Sequence, residues 1–216
     1  MPRIKTQLLL FDIDGTLLLS GGAGKRALNR AFRELFGVND GFDSIPVAGR
    51  TDELIFRDAI KQCGIATNAS SRSAFFSLYY KYLEQEIVCP GRNKGLMPGV
   101  RLLLDRLAPL SNVVIGLLTG NFARAAKIKL QYFGIWDYFV FGAYGDDAPV
   151  RDDLVQRTLT LDDLRNANDA QDSQDVQDAQ DQDAHRIHED VVDDAQDFED
   201  AQKLSLIHIS EPTRPR

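Results

Sequence analysis

Two aspartates stand two residues apart in the run Phe11-Asp12-Ile13-Asp14-Gly15-Thr16, directly after the apolar stretch Gln7–Phe11 (QLLLF). Carboxylates at the end of a buried strand are costly unless they are paired or bind a cation. Magnesium suits such a place, because it takes one or two carboxylates and fills its remaining positions with water and phosphate oxygens. One aspartate of the pair can attack phosphorus as a nucleophile while the other moves a proton. Gly15 lets the backbone come close to a phosphate, with the Thr16 hydroxyl beside it. A second polar group, Thr119-Gly120-Asn121, follows another apolar run, Val113–Leu118 (VVIGLL).

These two groups need elements that bring them together. QLLLF and VVIGLL read as strands buried on both faces of a parallel sheet. A third strand starts within Phe139–Phe141 and ends near Gly142–Asp147. Helical spacing fills the intervals. Ala27, Leu28, Ala31, Phe32, Leu35 and Phe36 share one helix face, and Leu54 to Cys63 gives a second helix. Ala74–Val88 gives a third, and Val100–Leu107 a fourth after the turn Pro98-Gly99. Strands separated by helices predict an α/β fold with a parallel, Rossmann-like core sheet. Such sheets bind ligands at the carboxyl ends of their strands, where Asp12 and Thr119 both fall.

A simple crossover between parallel strands takes about 30 residues. The interval between these two strands is far longer, so residues 21–90 read as a helical cap inserted after the first strand. Residues 1–20 and 91–157 then form the core. The run Gly21-Gly22-Ala23-Gly24-Lys25-Arg26 is no phosphate loop. Leu19 stands where its first glycine should be and Arg26 where Ser or Thr should follow the lysine. A hinge between core and cap is the better reading.

The chain has 216 residues and a net charge of −7, unevenly spread. Residues 1–160 hold 16 acids and 20 bases, too slight an excess to argue for nucleic acid. Residues 161–216 hold 16 acids and 5 bases. Residues 169–183, DAQDSQDVQDAQDQD, repeat aspartate every third position, which fits neither helix nor strand. Residues 158–203 therefore read as a solvated acidic tail, with His185 and His188 exposed to water. Cys63 and Cys89 are too few for a disulfide framework. No apolar run reaches the roughly 18 residues of a membrane span, and the N-terminus is no signal peptide. The expectation is a cytoplasmic protein without a membrane partner; its oligomeric state is open.

Phe11–Leu18, FDIDGTLL, resembles the first motif of the haloacid dehalogenase superfamily, chiefly its phosphatases. Thr119-Gly120-Asn121 is similar to the second motif, and the insertion resembles the family's cap. Ala48-Gly49-Arg50-Thr51-Asp52 and residues 118–147 resemble the phosphoglycolate-phosphatase-like branch. The resemblance spans residues 5–157. It implies that Asp12 forms an aspartyl-phosphate and that Asp14 protonates the leaving oxygen and then activates water. It implies that Mg2+ is held by the Asp12 carboxylate and the Asp14 carbonyl. Gly15, Thr16, Thr119, Gly120 and Asn121 would bind the phosphoryl group of a small phosphorylated metabolite. Arg151 would supply the basic third motif, and Arg50 and Thr51 would reach substrate from the cap. Lys127 and Lys129 read as a solvated helix face.

Asp14 favours phosphate ester hydrolysis over carbon–halogen cleavage, since halide leaves without a proton. The family's fourth motif, a strand followed by Gly-Asp and a further Asp, is not found after Arg157, and Glu189–Asp194 has the acids without strand or glycine. The C-terminal part of the core then reads as missing, with a sheet edge left exposed. Three alternatives stay open: a truncated, impaired remnant that binds phosphate, a 2-haloacid dehalogenase, and a phosphomutase. Leu204–Arg214, LSLIHISEPTR, resembles a translated sequencing adapter, and no function is assigned to residues 204–216.

Overall fold

The computed structural model describes residues 7–147 and 206–209. The sheet is built on β1 (Gln7–Phe11), β4 (Val113–Leu118) and β5 (Phe141–Ala143), which run parallel in the order β5-β4-β1. Phe11 lies opposite Leu117, and Leu118 opposite Ala143. Apolar side chains alternate between the two faces. Leu9, Phe11, Ile115 and Leu117 pack on one side with Val100 and Leu104 of α4 (Val100–Leu107) and Ala126 and Leu130 of α5 (Ala123–Tyr132). Leu8, Leu10, Val114 and Leu118 form a buried cluster on the other. Burial on both faces is why these strands read as unbroken apolar runs. β5 begins at Phe141, because a 3-10 turn at Trp136–Tyr138 delays it.

The long interval after β1 folds into α1 (Ala23–Phe36), α2 (Asp52–Gln62) and α3 (Ala69–Glu86). Their shared core is aromatic. The Phe75 ring is fully buried, 4.5 Å from Phe56 and 5.2 Å from Phe76, with Phe32 and Phe42 beyond. Deleting such a ring costs about 3–5 kcal/mol. α3 starts before Ala74 because Asn68 and Ser71 cap it reciprocally: each side chain accepts from the other's backbone N–H.

The root of this helical unit is laced shut by a short pair that sequence spacing did not predict. β2 (Leu18–Leu19) pairs antiparallel with β3 (Gly95–Leu96), and Met97 N–H donates to Leu17 O at 3.0 Å. The two connections then cross at glycines. A Cβ on Gly91 would lie 2.3 Å from Gly21 O, so neither strand of this crossing accepts a side chain there.

One expectation is corrected. The far edge of β1 is not open: β6 (Leu206–Ile209) pairs with it antiparallel, from Leu8 opposite Ile209 to Phe11 opposite Leu206. An extended segment supplies the backbone partners that an edge strand lacks. The acidic tail, Arg151 and the region of a fourth motif lie outside the described residues, as do His185 and His188.

Candidate active site

The parallel register sets Asp12, just past Phe11, at the same sheet end as Thr119, just past Leu118. A tight turn follows Asp12. Ile13 O accepts from the N–H groups of Thr16, Leu17 and Leu18, and Gly15, at φ +80°, donates to Leu18 O at 2.9 Å. This anchors Ile13 in the core and leaves the Asp14 side chain half-exposed. Thr16 is buried in the same turn.

The second loop faces the first through a connected set of donors. Asn121 Nδ2 donates to Asp14 Oδ2 at 2.8 Å and to Thr119 Oγ1 at 2.9 Å. Lys129 Nζ donates to Asp14 Oδ2 at 2.6 Å and to Asn121 Oδ1 at 2.7 Å. Thr119 itself is fixed by its N–H donating to Ala143 O at 3.0 Å. Desolvation pushes the Asp14 carboxyl upward. The Lys129 ammonium, by charge and hydrogen bond, and the Asn121 amide outweigh that, and the group is held ionised, below its ordinary range.

Lys129 corrects the expectation of a solvated face. Its side chain is 5% exposed, whereas Lys127 is exposed beside the Trp136 ring. The reason is helical phase: Lys129 is four residues past Ala125 and three past Ala126, both buried, so it lies on the inward stripe of α5. That spacing was the signal in the sequence. Arg151, read as the basic group, lies outside the described residues, and Lys129 supplies a cation at the site.

Gly120 carries the contact with the helical unit. A Cβ there would lie 2.3 Å from Arg50 O and 3.0 Å from Thr51 Cα, so only glycine lets the two segments touch. The Arg50 guanidinium turns along α2 to Asp58 Oδ2 (2.6 Å) and Pro46 O (3.3 Å). Thr51 is buried, and its hydroxyl caps α2 by accepting from Leu54 N–H. The structure therefore gathers Asp14, Thr119, Asn121 and Lys129, with Asp12 at the same strand end, and packs the Arg50–Thr51 backbone on Gly120. Asp52 was noted only as part of a motif, yet it too is buried here. Burial raises its carboxyl to about 6, against the opposing pull of Lys129 and the Phe122 N–H.

Among the described residues, no three His, Cys, Asp or Glu side chains converge as a closed metal cage. The donor set nonetheless fits magnesium. Asp12 and Asp14 offer hard oxygens on one turn, and the half-exposed Asp14 side chain is within reach of water.

A model of the haloacid dehalogenase-like hydrolases matches residues 6–158. The chain belongs to this family. No curated protein matches the chain in sequence. Solved structures do resemble it. A CbbY mutant from Rhodobacter sphaeroides, in complex with xylulose-(1,5)bisphosphate, is 16% identical over 70% of each chain, with a TM-score of 0.53. A predicted phosphoglycolate phosphatase from Haemophilus somnus 129PT is 19% identical, covering 69% of this chain and 67% of that one, with a TM-score of 0.47. YfnB from Bacillus subtilis, a haloacid dehalogenase-type hydrolase solved with magnesium, is 19% identical over 66% of each chain, with a TM-score of 0.39. The CbbY likeness shows a shared fold. Among the described residues, no helix is long and apolar enough to cross a membrane.

Proposed function

We propose that this haloacid dehalogenase-like hydrolase is a phosphatase that hydrolyses a small phosphomonoester through an aspartyl-phosphate on Asp12. The observation that carries the reading is the Lys129 ammonium and Asn121 amide donating to Asp14 beside Asp12, with Thr119 Oγ1 accepting from the same amide. A buried ammonium and a fixed amide are the groups that stabilise phosphoryl charge. CbbY, of like fold, holds a phosphorylated sugar, which supports a small phosphorylated metabolite as substrate. Residues 21–90 are proposed as a cap over the core of residues 1–20 and 91–157. A cytoplasmic setting is part of the proposal, supported by Cys63 and Cys89 both being free thiols.

The Asp12 carboxylate attacks phosphorus, and the bond to the leaving oxygen breaks as Asp14 supplies that oxygen with a proton. The proton that Asp14 donates is taken up from solvent when substrate binds. Asp14 then takes a proton from the water that hydrolyses the aspartyl-phosphate and gives it to solvent as phosphate leaves, which returns both groups to their ionised resting state. In the resting site Lys129 and Asn121 hold Asp14 ionised, the wrong state for an acid. Phosphoryl oxygens compete for those same two donors. Substrate therefore takes away the partners that depress Asp14 and raises its proton affinity when a proton is needed. Magnesium, held by the Asp12 carboxylate and the Asp14 carbonyl, supplies charge neutralisation at the phosphoryl group when bound. Gly15 and Thr16 shape the turn that carries Asp14. Arg50 contacts substrate only by exchanging Asp58 and Pro46 O for it.

The test is product release from two panels with magnesium: phosphate from esters that include 2-phosphoglycolate, and halide from 2-haloacids. Phosphate release lost on Asp12→Asn supports the reading. Halide release points to the dehalogenase, phosphate passed to a sugar faster than to water points to the mutase, and phosphate binding without turnover points to the remnant.

A further inference from the structure

Helix α5 starts without a cap of its own. Phe122 occupies its N-cap position and makes no side-chain bond to the first turn. The first N–H groups of a helix need acceptors from somewhere, and carboxylates suit them best. Here two distant segments provide them. Asp52 Oδ2 accepts from Phe122 N–H at 2.9 Å, and Asp146 Oδ1 accepts from Ala123 N–H at 3.0 Å.

Asp146 belongs to the loop after β5, but Asp52 opens α2 in the helical unit. Its backbone N–H also donates to Gly120 O at 2.9 Å. One buried residue of the helical unit thus holds the loop on both sides of Asn121, at Gly120 O before it and at Phe122 N–H after it. Asn121 is the amide that bonds Asp14 and Lys129. Lys129 rides on the helix whose first N–H groups Asp52 and Asp146 satisfy. The absence of a Cβ on Gly120 is what allows so close an approach of Arg50 and Thr51.

We propose that Asp52 is a positioning residue for phosphoryl transfer: by gripping the loop on both sides of Asn121, it sets the Asn121 amide and the Lys129 ammonium, so the transfer site is complete only with the helical unit docked. The transfer itself rests on the phosphatase reading above. The grip does not, because it consists of the hydrogen bonds of Asp52 with Gly120 O and Phe122 N–H, which are present without substrate.

The test compares Asp52→Ala and Asp52→Asn in the full chain. Turnover of p-nitrophenyl phosphate with magnesium is one readout, and amide hydrogen exchange at Asn121 and Phe122 is a second that needs no turnover. Asparagine keeps an acceptor oxygen for the Phe122 N–H; alanine does not. Asp52→Ala is expected to lower kcat by about tenfold to a hundredfold with a smaller change in KM, the cost of a misplaced catalytic group. Exchange at Phe122 should rise by roughly tenfold, as a local opening would produce. Asp52→Asn should bring both back to near the starting values. A folded Asp52→Ala protein with unchanged kcat and exchange overturns the proposal, as does a loss confined to KM or an asparagine variant as impaired as alanine. If the unaltered chain hydrolyses no ester, the phosphatase reading falls, and the exchange rates alone decide for or against the grip.

Discussion

Replacing Lys129 by methionine keeps most of the side-chain length and removes the ammonium. That ammonium gives hydrogen bonds to Asn121 Oδ1 at 2.7 Å and Asp14 Oδ2 at 2.6 Å. Asn121 is buried, so leaving its carbonyl oxygen without a donor costs about 1–3 kcal/mol. The Asp14 pair adds less. Its carboxylate side chain is 47% exposed, and solvent screens such a pair to about 0–1 kcal/mol. A net loss of about 2 kcal/mol follows, read by urea denaturation at pH 7. The same change removes one fixed donor from the phosphoryl site, worth about a hundredfold to a thousandfold in kcat. The pH dependence has a definite sign. Asp14 has a depressed pKa in the folded state, so its share of stability is present above its ordinary value of 3.8 and is lost as pH falls through the folded value. The deficit of Lys129→Met therefore narrows in acid. Lys127→Met, two residues away on the exposed side, should change stability by less than about 0.5 kcal/mol and leave kcat alone. Equal stability and turnover for Lys129→Met and the unaltered chain, or a larger deficit for Lys127→Met, would refute the reasoning.

Gly120→Ala would place a Cβ 2.3 Å from Arg50 O; the forced shift should cost about 1–3 kcal/mol by denaturant titration and lower turnover. Asp52→Asn should stabilise the chain at neutral pH. The carboxyl rises from 3.8 to about 6 on folding, so the folded state holds a proton that the unfolded state has already lost between those values. Stability from this group is therefore full below 3.8 and falls until pH 6, by as much as about 3 kcal/mol, and the advantage of asparagine should vanish below pH 4. Chelating divalent cations should stop phosphate release, and added magnesium should restore it without any change in the melting of the aromatic core.

Sequence pattern reached the sheet because β1 and β4 are buried on both faces, which leaves an apolar run with abrupt polar ends. It reached Asp12, Asp14, Thr119 and Asn121 for the same reason: they sit where those runs stop. It did not reach the lacing of β2 with β3, since two-residue strands carry no periodicity. It placed Lys129 on the surface because lysine is rarely buried, and the four-residue step from Ala125 was outweighed by composition. Asp52 was hidden differently. A residue just after a Thr N-cap reads as ordinary first-turn charge, and only the fold reveals that its acceptor serves another helix 70 residues on. Arg151, expected as the basic group from its resemblance to the family's third motif, lies outside the described residues; the buried ammonium of Lys129 stands at the site from a helix face.

The most direct measurement is covalent. The unaltered chain would be mixed with phosphate-labelled ester and magnesium, quenched in acid within the first turnover, and digested for peptide mass analysis. The account predicts the label on the peptide that carries Asp12, and none in Asp12→Asn. Steady phosphate release with no labelled peptide, or with the label on another residue, would contradict it.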